Sequence, residues 1–431
     1  MKSRFITSLA AVSIILTGCF STAVSSSVLN HQEFEPKLDT EKNVSLKVAG
    51  FLGNFEALDQ IVNEFNEYYP NVVITYESNG SDQLAEYVSN NDVDIFMTAD
   101  QNIRYKDQTN RYIGDSCLDL SKENLDFSAI DESYIENCTI DGKLYSIPLG
   151  QNTYGMAVNS TLLEKEGLSV PTDYDSFVDT LDKLVKKGYV PIQGSSSIVG
   201  AYLLDGLIMS ELGSEETLLD GLKKQDKDTV AAVNEAMKIL KTFKEKGYFT
   251  EAKNAEYPDD NYDGVIMNFF EGNVPFWMCS SENFSGTKKR EAKSEKFSSE
   301  PFDYSFMQVP LSEDGVYDYS EAWYGFSVNR DSSNLDYTME FMRYLVRSEV
   351  ISKIAELKGI PSVTGNSEDK RYALYYSPEK TAISYKNTGN IEKYMHESLR
   401  SVTANYLNGG YATTDDATKA FVEKCTEIAN K

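Results

Sequence analysis

Apolar residues along this chain switch between two periods, and the switches mark the elements. Ser45 to Gly50 alternates as a strand. Leu58, Ile61, Val62, Phe65 and Tyr69 then fall on one face of a helical period, with Asn54 placed to cap the helix and Pro70 to end it. Val72 to Glu77 reads as the next strand, Asp82 to Ser89 as a second helix, and Val93 to Thr98 as a third strand. Alternation of this kind over so few residues requires parallel crossovers, so the predicted fold class is α/β. Ligands of such sheets gather beyond the carboxyl ends of the strands, which here are Gly50 to Asn54, Ser78 to Ser81 and Ala99 to Asn102.

A second α/β region follows. Lys143 to Pro148 and Tyr154 to Asn159 read as extended. Asp173 to Lys187 is a helix carrying Phe177, Leu181, Leu184 and Val185, closed by Gly188, and Tyr189 to Gln193 is a strand. Helices near Ile198 to Leu212 and Thr229 to Lys246 are each followed by a glycine at the C-terminal cap position. The run of Lys, Arg, Glu and Ser from Gly286 to Pro301 reads as a solvated loop.

The amino terminus has its own logic. Lys2 and Arg4 precede an apolar stretch, Phe5 to Leu16, that is short for a membrane span, and Leu16-Thr17-Gly18-Cys19 follows. That ending resembles the lipobox of bacterial lipoproteins, which implies a signal peptide over residues 1–18 and lipidation of Cys19. Residues 19–43 are Ser/Thr-rich, then polar and acidic, and read as a flexible tether. A lipid on Cys19 would place the mature protein on the outer face of the cell membrane.

Charge and composition narrow the partners. The 431 residues include 41 basic and 67 acidic side chains, a formal net charge of −26, which repels nucleic acid and other polyanions. His31 and His396 are the whole complement of histidines, so a His-ligated metal site or a Ser-His-Asp triad is not expected, nor any cofactor. The 28 Tyr and 21 Phe favour surfaces that are apolar on one side and hydrogen-bonding on the other. Cys117, Cys138, Cys279 and Cys425 either pair or lie as buried thiols, and Cys117 with Cys138 is the nearest pair in sequence.

Several stretches, taken in order, resemble extracellular solute-binding proteins of the family 1 type, the lipoprotein receptors of bacterial ABC importers that include maltose-binding protein. They are Ala57 to Asn66, Tyr68 to Ile74, Asp94 to Met97, Gly142 to Pro148 running into Tyr154 to Asn159, Phe270 to Phe276, Trp323 to Asn329, and Tyr337 to Leu345. The resemblance implies a two-lobed periplasmic-binding-protein-like fold with a hinge and an interlobe ligand cleft. Lobe I is then expected over 44–150 with 325–360 returning to it, and lobe II over 151–324 with 361–431. It places the crossings near Gly150 to Tyr154, Glu321 to Gly325 and Ile360 to Thr364. A monomer that closes on its solute and engages permease subunits is implied as well.

A sugar offers C–H faces that stack on aromatic rings and hydroxyls that suit carboxylates and amides. Candidates of those types stand at the expected strand ends and crossings. Asn54 and Phe55 follow the first strand, Asp100 follows the third, and Gln151, Asn152 and Tyr154 occupy the first crossing. Glu321 and Trp323 occupy the second crossing, Trp277 and Glu282 lie in and after an extended segment, and Tyr394 is placed by the resemblance. The expected function is therefore a non-enzymatic receptor that captures a carbohydrate, an oligosaccharide by preference, for an ABC permease. Two other readings stay open at this level. Aromatics beside carboxylates also suit a cationic solute such as a polyamine, and paired carboxylates suit a surface-anchored glycoside hydrolase.

Overall fold

The computed structural model describes residues 33–80, 82–99, 102–103, 106, 111–195, 198–256, 261–365, 367, 369–380, 383–386 and 400–429. Cys19, the lipobox, Asp100, Tyr394 and both histidines lie outside them. The compact unit runs from Pro36 to Lys431.

In chain order the first strands are β1 (Val44–Gly50), β2 (Val72–Ser78), β3 (Ile95–Thr98), the small hairpin β4 (Thr139–Ile140) and β5 (Lys143–Leu144), and β6 (Ile147–Pro148). Then come β7 (Gln151–Asn159), β8 (Ile192–Gln193), β9 (Phe276–Ser280), β10 (Tyr304–Met307), β11 (Val309–Ser312), β12 (Gly315–Ala322), β13 (Gly325–Val328) and β14 (Ile383–Lys386). They form two main sheets. One has the order β2-β1-β3-β13-β6, and the other β11-β12-β7-β9-β8, with β10 also on β7 and β14 on β12.

The first sheet follows from the amino-terminal pattern. β1 pairs parallel with β2 and β3, as crossovers through helices demand. The helix Glu56–Phe65 buries Ala57, Leu58, Ile61 and Phe65. Tyr69 just beyond it donates to Glu340 at 2.6 Å, tying this helix to Leu335–Leu345. Asn54 does not cap the helix as expected: the cap position is Phe55, and the Asn54 amide donates instead to Glu56 at 3.2 Å.

The second sheet carries its main core on helices Tyr174–Lys186, Val199–Leu212 and Lys227–Glu245. Asp173 and Ser176 close a reciprocal capping box at the first of these. Val199–Leu212 is apolar on nearly every face because other elements surround it, and Gly213 ends it at φ 76°, where a Cβ would be strained. The charged stretch from Gly286 to Pro301 is not a plain loop. It folds into short helices, Thr287–Arg290 and Glu295–Ser299, because Phe297 and Phe302 dock on the rings of Phe270 and Tyr304.

All four cysteines after the tether are buried. Cys117 and Cys279 are free thiols, so of the two alternatives Cys117 takes the buried thiol and does not bridge to Cys138. Burial pushes the Cys117 thiol up to about 12, which keeps it protonated and unreactive. Among the described residues no helix is long and apolar enough to cross a membrane.

The two sheets are joined by a continuous antiparallel ribbon. Gln151 and Asn152 of β7 stand opposite Ala322 and Glu321 of β12. Trp323 then donates its backbone N–H to Gly150 at 2.8 Å, Leu149 donates to Tyr324 at 3.1 Å, and Gly325 of β13 stands opposite Pro148 of β6. A third segment joins the ribbon where Gln151 donates its backbone N–H to Pro361 at 2.9 Å. The ribbon is tight: a Cβ on Gly325 would lie 2.4 Å from Ser146 Oγ and 2.8 Å from the Ile147 carbonyl oxygen, which explains a glycine there.

Candidate functional site

Beside this ribbon lies a cleft of about 260 Å³. Its polar wall is built by β7 and β12, whose register sets Asn152 against Glu321. The Asn152 amide donates to Glu321 Oε1 at 3.0 Å, and the Tyr154 hydroxyl points at the same oxygen at 3.4 Å. On its other side the Asn152 carbonyl accepts from Ser281 Oγ at 3.2 Å and from the Glu282 backbone N–H at 3.4 Å. One amide therefore joins two strands and the start of the helix Ser281–Ser285.

The aromatic wall is Tyr154, Tyr202, Trp323 and Tyr324. Tyr154 packs on Tyr202 and Tyr319 at centroid distances of 4.3 and 4.7 Å. Trp323 packs on Tyr324 at 4.6 Å, with Phe55 edge-on behind it at 6.4 Å. Only 5% of Trp323 is exposed, and its indole N–H faces the Glu282 carboxyl.

Glu282 stands between these walls. Burial pushes its carboxyl up, and the neighbouring Trp323 indole, the Lys358 ammonium and the Tyr324 hydroxyl pull it partly back. The Tyr324 hydroxyl donates to Glu282 Oε1 at 3.4 Å. A raised carboxyl binds its proton more tightly when folded, so this group lowers stability as pH rises from the unfolded carboxyl range through the folded value. Glu282→Gln is accordingly expected to match the parent protein near pH 4 and to melt higher at pH 7. The gap should be about 1.4 kcal/mol for each pKa unit of displacement. Melting curves across that range check it; parallel curves would mean that Glu282 titrates normally.

The sequence candidates separate clearly. Asn152, Tyr154, Glu282, Glu321 and Trp323 are brought together in the cleft wall. Phe55 is 2% exposed and acts as backing for Trp323 rather than as wall. Asn54 is exposed and tied to Glu56. Gln151 is buried with both ends of its amide occupied: it accepts from the Tyr134 hydroxyl and donates to the Tyr375 hydroxyl at 2.8 Å. Trp277 is 1% exposed and sits in the core against Phe269 and Phe284. Its strand β9 is paired on both sides, by β7 and β8, and its ring belongs to a core cluster with Phe269, Phe270 and Phe284. Gln151 and Trp277 therefore have no surface to offer a solute in this arrangement. Asp100 and Tyr394 fall outside the described residues, although Ala99, next to Asp100, lines the cleft.

Sequence reading missed Ile198, Tyr202, Ser280, Asn283 and Arg400, which also line the cleft. Tyr202 carried a signal: it is the one aromatic residue in the mostly apolar helix Val199–Leu212. Among the described residues no group of three or more His, Cys, Asp or Glu side chains is arranged to hold a metal ion.

Known proteins place this geometry in context. The pattern that defines the bacterial extracellular solute-binding proteins matches residues 60–388. A carbohydrate ABC transporter substrate-binding protein of Streptococcus pneumoniae serotype 4 is 27% identical over 179 residues, 39% of this chain and 34% of that protein. The chain thus aligns with about a third of that relative's length. In structure, the apo form of RafE from Streptococcus pneumoniae is similar with a TM-score of 0.70, at 17% identity over 90% of this chain and 98% of RafE. A Bacillus licheniformis sugar transporter protein in complex with stachyose gives a TM-score of 0.63, at 17% identity over 89% of this chain and 100% of the other. These structural likenesses support the two-lobed fold.

Proposed function

The chain belongs to the bacterial extracellular solute-binding protein family, and from that premise we propose that it is the receptor of a carbohydrate ABC importer, taking a neutral oligosaccharide between its lobes. The observation that carries this reading is the cleft wall itself. Asn152 and Glu321 supply planar polar groups, and Tyr154, Tyr202 and Trp323 supply rings, all beside the ribbon that joins the sheets. The carbohydrate named for the pneumococcal relative and the stachyose bound to the structural neighbour point the same way.

In this reading lobe I comprises 44–150 and 325–360, lobe II comprises 151–324 and 361–431, and the ribbon at Gly150 and Trp323 is the hinge. Solute bridging the walls holds the lobes closed, because contacts to both are available only when it is present. The closed form then engages the permease, and a diacylglycerol on Cys19 keeps the monomeric receptor at the membrane. The work of the cleft is capture and release rather than catalysis, and the family consists of binding proteins.

A thermal-shift screen of residues 44–431 against mono- and oligosaccharides, led by raffinose and stachyose, tests the proposal. A ligand at 100 times its dissociation constant is expected to add about 2.7 kcal/mol of stability. Chromatography of the incubated sugar is expected to show it unchanged. A flat response across every sugar, or steady hydrolysis of the sugar that binds, would overturn the receptor reading.

A further inference from the structure

The aromatic wall of the cleft carries a built-in positive charge. Lys358, the last residue of the helix Ser348–Lys358, places its ammonium nitrogen 5.3 Å from the Trp323 ring centroid and 5.9 Å from that of Phe55. No carboxylate pairs with it within 4 Å among the described residues. Glu282 is the acid whose charge it feels most, followed by the opposing effect of the Lys289 charge and the weaker one of Glu56. Gly359 takes φ 73° immediately after it and turns the chain into the crossing, so Lys358 is held by backbone geometry as well as by charge.

A cation on an aromatic ring uses the same negative quadrupole that a cationic ligand would use. We propose that Lys358 is a specificity-determining residue which excludes cationic solutes from the Trp323 wall and reserves it for uncharged sugars. This rests on the carbohydrate reading of the same cleft. The carboxylates that would otherwise recruit an amine are engaged: Glu321 accepts from Asn152 and Tyr154, and Glu282 accepts from Tyr324 and faces Trp323 and Lys358. Rejection by a like charge placed beside the binding surface is the repulsive half of specificity.

The test compares raffinose, an aminodeoxy derivative of raffinose in which one primary hydroxyl is an amine, and spermidine. Calorimetry is run on the parent protein, Lys358→Gln and Lys358→Arg, each first shown to melt cooperatively. The readout is the ratio of amine to neutral affinity within each protein, so any change in sugar affinity common to both ligands cancels. In the parent and in Lys358→Arg the aminated sugar is expected to bind at least tenfold more weakly than raffinose, with spermidine silent. In Lys358→Gln the gap is expected to shrink to threefold or less. An equal gap in Lys358→Gln, or spermidine bound by the parent protein, overturns the exclusion while leaving the carbohydrate reading intact. Failure of raffinose together with every neutral sugar of the thermal screen overturns the carbohydrate reading, and the exclusion falls with it.

Discussion

Trp323→Ala is expected to abolish measurable sugar binding at micromolar protein and to lower folding stability by about 3–5 kcal/mol, the range for removing a buried Trp or Phe ring. Both losses have the same structural cause. The ring is packed on Tyr324, Phe55 and the Lys358 ammonium, so truncation opens a hole beside the ribbon that joins the two sheets. The part of the affinity due to the ring alone is about 1–3 kcal/mol, or roughly five- to 150-fold. Trp323→Phe separates packing from hydrogen bonding. It keeps most of the apolar contact and removes the donor that faces the Glu282 carboxyl, so stability should fall by about 1 kcal/mol while affinity falls about fivefold. Calorimetry and urea denaturation on both variants decide the matter. Lost stability in Trp323→Ala with full affinity in Trp323→Phe would make Trp323 a core residue with no role in recognition.

The first sheet was legible in the sequence because its strands and helices differ in period. β1 alternates, Glu56–Phe65 repeats at helical spacing, and Pro70 separates that helix from β2. The second sheet was harder to read. Residues 304–322 hold β10, β11 and β12, which follow one another with almost no intervening turn, and Pro310 lies within β11, where composition argues against a strand. The Gly286–Pro301 stretch misled for a different reason. Its charges face solvent, but Phe297 and Phe302 at its end reach into an aromatic cluster, and a count of charges does not register two anchors.

Within the site, residue type predicted chemistry better than it predicted direction. Asn152 and Gln151 are neighbouring amides at the same crossing, and strand alternation sends them to opposite faces. Asn152 faces the cleft, while Gln151 faces Tyr134 and Tyr375 in the interior. The two tryptophans divide the same way, Trp323 at a strand end and Trp277 in mid-sheet. Which face a residue takes depends on register with a partner strand more than a hundred residues away, and that register is absent from any local pattern. Arg400, which lines the cleft, and Lys358, which packs on the Trp323 ring, were missed because they come from helix ends that no motif flagged.

The second large effect is expected from Asn152→Asp. The replacement is nearly isosteric, so it leaves the packing alone and changes one thing: a carboxyl oxygen takes the place of the amide nitrogen 3.0 Å from Glu321 Oε1. Two carboxylates at that separation repel by on the order of 4–6 kcal/mol at an effective dielectric constant near 20. The pair relieves this by retaining a proton between them, so the pair's upper apparent pKa is raised in the folded state relative to the unfolded one. The sign follows directly. The folded state binds more protons, and stability is fully present below the unfolded carboxyl range and is lost as pH rises through the folded value. The variant should therefore approach the parent protein's melting temperature near pH 4 and fall well below it at pH 8. Sugar affinity should follow the opposite course to that of an ordinary carboxylate site, strongest in acid, where the shared proton restores a donor toward Glu321. Melting temperature and calorimetric affinity measured from pH 4 to pH 8 give both curves. A variant whose stability runs parallel to the parent's at every pH would show that the Asn152 to Glu321 contact opens in solution, and the polar wall proposed for sugar hydroxyls would lose its central pair.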